Sequence, residues 1–370
     1  MTDQFNDLMR RATQLTQAGR LTQATALLQQ ALGGGAAADQ PVAPARPAPA
    51  GMVLDGCVFE IDRPAAQSAV AAASSAPLRD DRRVAPVTAG EFSAGNHRHA
   101  GQTLDYKLYT PPGPLDGHRP LLVMLHGCTQ NPDDFAAGTG MNRLAAERGF
   151  FVLYPAQSQA ANASRCWSWF DRQHQLRDHG EPALIASLTR AVMAIHAIDE
   201  RRVFVAGLSA GGAMAALVAA AYPEIYAAVG VHSGLPCGAA RDLPSALAVM
   251  KNGASASAAP GQPVPTIVFH GDQDRTVHAR NGEQVIAAAL AGSSTTVGLE
   301  RGVSAAGQKF TRSIHRSPAG QPVAEHWLVH GGAHAWSGGR ATGSFTNPKG
   351  PDASLAMLDF FAANPKAGQR

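Results

Sequence analysis

The chain has 370 residues, 45% hydrophobic, 16% charged and 6% aromatic, with 31 Lys+Arg against 28 Asp+Glu for a formal charge of +3. A charge this near zero gives no electrostatic reason for a nucleic-acid partner, and four Cys are too few for a disulfide-framework fold. No stretch approaches 18 uninterrupted apolar residues, so no membrane span is expected.

Residues 1–33 read as a helical hairpin. Phe5, Leu8, Met9, Ala12 and Leu15 recur at helical spacing, Ala18-Gly19-Arg20 interrupts, and Leu21, Ala24, Leu27, Leu28 and Leu32 resume. A lone pair of helices cannot bury its own face. Docking on the main domain, self-association, or tethering to a granule or partner is its expected use. Residues 34–83 are rich in Pro and Ala and read as a linker. The apolar patches at 52–54 and 57–59 are expected to dock locally. The first residues lack the basic start and apolar run of a secretory signal, so the expected location is cytoplasmic.

A folded catalytic domain is expected over 84–366. Leu104 to Tyr109 alternates at period two and stops at Pro111-Pro112-Gly113, a strand and turn. Apolar runs follow at 121–125, 150–153, 203–206, 227–231, 266–269 and 327–329. Helical patterns fall at 141–148, 183–197, 212–221, 282–290 and 352–363. Buried strands alternating with helices predict an α/β fold: a mainly parallel sheet covered on both faces.

The run 203–206 leads into Gly207-Leu208-Ser209-Ala210-Gly211, and a small-residue helix follows. Strand, tight turn and helix is the context in which Gly-x-Ser-x-Gly presents a nucleophile. Side chains two before and two after Ser209 would collide, so both positions are Gly. The helix behind it aims N–H groups where negative charge would develop.

A serine nucleophile needs a base and an orienting acid, which follow it in chain order as acid, then His. Thr266 to Val277 carries two carboxylates, Asp272 and Asp274. Asp274 has the spacing of a loop-tip carboxylate; Asp272 reads as a turn residue bonding backbone amides. Further on, His330 and His334 compete. His334 lies in a Gly-flanked loop suited to reaching Ser209, while His330 sits at a strand end, where packing is expected. The oxyanion donors are expected to be the backbone N–H groups of Ala210 and Cys128, the latter after the strand 121–125. His126 is expected to tie that loop to neighbouring backbone.

Four motifs in order carry a family resemblance: Leu125-His126-Gly127-Cys128-Thr129-Gln130, Cys166-Trp167-Ser168-Trp169-Phe170, Gly207-Leu208-Ser209-Ala210-Gly211-Gly212-Ala213-Met214 and Gly332-Ala333-His334-Ala335-Trp336-Ser337-Gly338-Gly339. Together they resemble the poly(3-hydroxybutyrate) depolymerase-type esterases. That family has the α/β-hydrolase fold and is related to feruloyl and acetylxylan esterases. The resemblance covers about 90–363 and implies Ser209, Asp274 and His334 as the catalytic triad. It implies hydroxyalkanoate esters or oligomers as substrate, with feruloyl or acetyl esters on sugars as the alternative and a peptidase as a weaker rival. It also suggests a bridge between Cys128 and Cys166, pinning the oxyanion loop, whereas a cytoplasmic location would keep both thiols reduced. The resemblance implies the extracellular region as the alternative location, and the secreted members carry a signal peptide and a polymer-binding module. Neither is read here, which favours soluble oligomers, amorphous polymer or another small ester over crystalline polymer as the expected substrate.

Trp167, Trp169 and Trp336 all fall in these motifs and are candidate substrate contacts, with loop packing as the alternative. Glu181, beside Pro182, reads as a helix start. Cys57 and Cys237 read as plain buried thiols. No metal or phosphate-loop motif occurs, and the proposed chemistry needs no cofactor.

Overall fold

The computed structural model describes residues 58–60, 90–114, 117–254 and 263–367. The hairpin expected over 1–33 lies outside the described residues. So does the linker expected over 34–83, apart from 58–60.

One sheet of eleven strands organises the described residues. Its strands are β1 (Val58–Glu60), β2 (Glu91–His99), β3 (Gln102–Thr110), β4 (Arg119–Leu125), β5 (Phe151–Ala156) and β6 (Ile198–Leu208), then β7 (Ala228–His232), β8 (Thr266–Gly271), β9 (Thr296–Val303), β10 (Lys309–Arg316) and β11 (Pro322–Val329). Their order across the sheet is β1-β9-β10-β11-β8-β7-β6-β4-β5-β3-β2. The centre, from β11 to β5, is parallel. Antiparallel strands flank it: β2 and β3 on one side, β9 and β10 on the other. The short strands β12 (Trp336–Ser337) and β13 (Thr346–Asn347) pair separately.

The described residues form seven α-helices around the sheet: α1 (Pro132–Thr139), α2 (Met141–Arg148), α3 (Gly180–Ile195), α4 (Ala210–Ala221), α5 (Leu243–Asn252), α6 (Arg280–Ala289) and α7 (Ala353–Ala363). The sheet has two buried faces, and β4 shows why. Its Leu121, Val123 and Leu125 pack with residues of α3, α4 and α6, while Leu122 and Met124 pack with residues of α1, α2 and α7. Alternate side chains point to opposite faces, so a strand buried on both sides must be apolar throughout. Burial of each such side chain contributes about 1.5–3 kcal/mol. A parallel strand needs a crossover back to the same end, so β4, β6, β8 and β11 all deliver their following loops to one edge of the sheet. No helix among the described residues is long and apolar enough to cross a membrane.

Candidate active site

Ser209 is the single residue between β6 and α4, with φ 58° and ψ −120°. A non-glycine residue at positive φ is strained, and such strain persists only where its surroundings over-determine it. They do so here. A Cβ at Gly207 would run into Gly211 O, and one at Gly211 into Leu125 O. The Ser209 N–H donates to His232 O at 2.9 Å, fastening the turn to β7.

Asp274 follows β8, and His334 follows β11, the neighbouring strand. His334 Nδ1 and Asp274 Oδ2 are 2.7 Å apart. Asp274 Oδ1 accepts from the N–H groups of Thr276 (2.9 Å) and Val277 (2.8 Å). Its side chain is completely buried. Burial alone would raise its pKa. The His334 hydrogen bond and charge, the Val277 N–H and His270 outweigh that, and hold the carboxyl below its ordinary value. An ionised Asp274 accepts a hydrogen bond from His334 Nδ1–H, which leaves Nε2 as the nitrogen with the free lone pair.

The competing pair is separate. His330 Nδ1 lies 3.0 Å from Asp272 Oδ2, and Gly331 N–H donates to Asp272 Oδ1 at 2.7 Å. Asp272 therefore stabilises the turn. His330 is half-exposed rather than packed, with its other nitrogen 2.8 Å from Thr311 Oγ1.

Both expected oxyanion donors stand at this sheet edge. Ala210 is the first residue of α4, so its N–H has no acceptor in the helix's own ladder. In the loop after β4, Gly127 N–H donates to Gln130 Oε1, Thr129 N–H to Ser164 O and Gln130 N–H to Gly127 O. The Cys128 N–H between them has no acceptor among the described residues. Cys128 and Cys166 form a disulfide, which ties this loop to the segment after β5.

His126 anchors the same loop. Its Nε2 accepts from Gln157 N–H at 3.1 Å, and its Nδ1 faces Gly127 O at 2.8 Å. Burial lowers its pKa to about 4, so it is neutral at pH 7.

For the three candidate Trp the structure favours packing, the alternative weighed for them. All are buried. Trp336 Nε1 donates to Ser354 Oγ, its ring stacks on His232 and it meets Phe135 edge-on. Trp167 Nε1 donates to His126 O, and Trp169 packs edge-on against Phe170. Each large apolar body is worth more in the core, provided its N–H finds a partner there. Glu181 starts α3 as expected. It also accepts from Ser168 N–H at 2.7 Å and Gln157 Nε2, bracing the Trp167 loop. Cys237 is a buried free thiol, and Cys57 lies outside the described residues.

Sequence reasoning missed His232, Gln130 and Phe345. His232 holds the Ser209 turn through its carbonyl and accepts Ser337 N–H at Nε2 (2.9 Å), joining the loop beyond His334 to the same strand. Its position at the end of a buried strand beside β6 was the available signal. Gln130 holds the loop after β4 through Gly127 and reaches Asp134 and Ser344. Phe345 is an exposed aromatic at φ 50° whose ring lies edge-on to His334, 6.5 Å between centroids. Among the described residues, no cluster of three or more His, Cys, Asp or Glu is placed to hold a metal ion.

A model of the family described as "Esterase PHB depolymerase" matches residues 104–302. Poly(3-hydroxyalkanoate) depolymerase C of Paucimonas lemoignei is 30% identical over 238 residues, covering 60% of this chain and 56% of that protein. Feruloyl esterase B of Thermothelomyces thermophilus is 32% identical over 136 residues, covering 36% of this chain and 46% of that protein. The chain spans about half the length of these curated relatives. Among solved structures, an acetyl xylan esterase from Aspergillus awamori aligns with a TM-score of 0.55 at 17% identity, covering 73% of this chain and 99% of that one. That likeness is one of fold: an α/β-hydrolase architecture.

Proposed function

We propose, from the premise that the chain belongs to the PHB depolymerase family of esterases, that it is a serine carboxylic-ester hydrolase acting on hydroxyalkanoate esters or oligomers. The observation that carries this reading is the 2.7 Å contact between His334 and a buried Asp274, at the sheet edge where a strained Ser209 projects.

The reaction follows the acyl-enzyme course. His334 Nε2 takes the Ser209 proton as Oγ attacks the ester carbonyl. The N–H groups of Ala210 and Cys128 receive the oxyanion. Donors already aimed at that charge lower the barrier because they need no reorganisation during the reaction. His334 then protonates the departing alcohol, and water, activated by the same imidazole, releases the acid from Ser209. Asp274 holds the tautomer with Nδ1 protonated and stabilises the imidazolium. Gln130, His126 and the disulfide keep the Cys128 amide in place.

Ser209→Ala tests the assignment. Turnover of p-nitrophenyl butyrate should fall by about 10⁴-fold or more, with the fold intact by circular dichroism. Retained activity in that variant would sink it. A carbohydrate-esterase reading is favoured by the similarity to feruloyl and acetylxylan esterases. A panel of hydroxybutyrate oligomers, methyl ferulate and acetylated xylan separates the two by kcat/KM.

A further inference from the structure

Beyond His334 lies an open cleft of about 870 Å³. It opens at the same sheet edge as Ser209, on the far side of the β11 loop. The strand order fixes this: β10 and β9 lie on one side of β11, and β8, β7 and β6 on the other. Ala333 and Ala335, the neighbours of His334, form its inner wall.

The cleft is positively charged. Lys309 and Lys349 line it, and no Asp or Glu does. Both lysines are exposed, and neither ammonium has a carboxylate partner among the described residues. His330 also lines the cleft and is already joined to Asp272 at 3.0 Å. The backbone beneath is tied down. Gln308 Nε2 donates to His330 O at 3.0 Å, and Asn347 Nδ2 donates to Gln308 Oε1 at 2.8 Å. Ser304 Oγ donates to Lys349 O, and His330 N–H donates to Lys309 O at 2.9 Å. The two stems therefore start from fixed positions on either side of one opening.

The position matters because of which half of the substrate passes there. His334 gives its proton to the leaving oxygen, so the alcohol half leaves on the histidine side. In a hydroxyalkanoate oligomer, that alcohol half is itself a hydroxy acid and ends in a carboxylate. We infer that Lys309 and Lys349 bind the free carboxylate end of the oligomer, so that the enzyme cuts ester bonds close to that end. The acyl half passes to Ser209 Oγ as the ester C–O bond breaks. The His334 proton goes to the leaving oxygen, and the hydroxy acid departs with its carboxylate. Water then frees the acyl half as a second acid. The inference rests on the esterase reading and adds the end of the chain that is recognised.

The test uses the full chain with three substrates: the 3-hydroxybutyrate trimer, its methyl ester and p-nitrophenyl butyrate. The readout is the ratio of kcat/KM for the free acid to that for the methyl ester. The expected ratio is about five or more in low salt and falls toward one in 0.5 M salt, as for exposed charge pairs. Lys309→Gln with Lys349→Gln should bring the ratio to about one. Lys309→Glu with Lys349→Glu should bring it below one, and Lys309→Arg with Lys349→Arg should preserve it. Thermal unfolding reports whether each variant is folded. If p-nitrophenyl butyrate is hydrolysed but the two trimers are cut equally, or not at all, the carboxylate-end proposal is overturned and the esterase reading stands. If the folded chain hydrolyses none of the three, the esterase reading fails and the inference with it.

Discussion

Gly211 leaves no room for a methyl group, because its missing Cβ points into the carbonyls of Leu125 and His126. Backbone cannot move aside as a flexible side chain can. Gly211→Ala should therefore destabilise the protein by about 2–4 kcal/mol, read as a lower urea midpoint, and should also cut ester turnover by displacing the β4 loop. Asp274 makes the opposite case. Asp274→Asn keeps the size and can still accept from the Thr276 and Val277 amides, but its amide favours the wrong His334 tautomer. A fall of about 10⁴-fold in kcat with little change in unfolding midpoint is the expected result. A variant of near-normal kcat would remove Asp274 from the mechanism.

The elements divide by how clearly sequence marks them. β4, β5, β7 and β8 are buried on both faces, so their apolar runs stood out. Of the flanking strands, β3 showed through its period-two alternation, but β2, β9 and β10 did not. β2 reads Glu-Phe-Ser-Ala-Gly-Asn-His-Arg-His and is largely exposed; β9 and β10 carry Glu, Lys and Arg on half-open faces. Their pairing comes from neighbours far away in the chain, which local periodicity cannot register. α5 was missed for a related reason: only Ala246 is buried along it. α1 is short, and Asn131 caps it by accepting from Asp134 N–H at 2.9 Å. The strained turn at Ser209 was plain because strand, glycines and helix are contiguous. The choice between Asp272 and Asp274, and between His330 and His334, needed the hydrogen bonds that sort them into two pairs. The motif Trp were conspicuous by type, yet their burial lay beyond what composition reveals. The disulfide between the β4 loop and the 166 segment makes its own prediction. Reduction, or Cys166→Ala, frees the strand-end loop that carries the Cys128 amide. The expected change is about a tenfold drop in kcat with KM little altered, since a loosened oxyanion donor weakens the transition state more than the bound ester.

Across the whole molecule, several histidines are buried in neutral form. Burial lowers His126 to about 4 and His326 to about 4, and pushes His232 well below the ordinary value. An unfolded His titrates near 6.5, so between pH 6.5 and 4 the unfolded chain binds more protons than the folded one. Stability is then fully present above pH 6.5 and is lost as pH falls toward 4. For His126 alone the loss amounts to roughly 3 kcal/mol. Urea midpoints at pH 7 and pH 4.5 should differ strongly, and His126→Gln should flatten the dependence; a flat wild-type profile would contradict it. The pairing of β1 with β9 has a different consequence. Val58, Phe59 and Glu60 run alongside Val297, Gly298 and Leu299, so residues from the N-terminal third close one rim of the sheet. A shortened chain beginning near residue 84 would leave β9 with a row of unpaired amides and carbonyls. Such a rim recruits another strand. The truncated protein should therefore self-associate with rising concentration in analytical ultracentrifugation, and Val297→Lys on that rim should return it to the monomer. Any comparison meant to isolate the N-terminal segment must then keep Val58–Glu60 in place, or it will measure a sticky sheet edge instead.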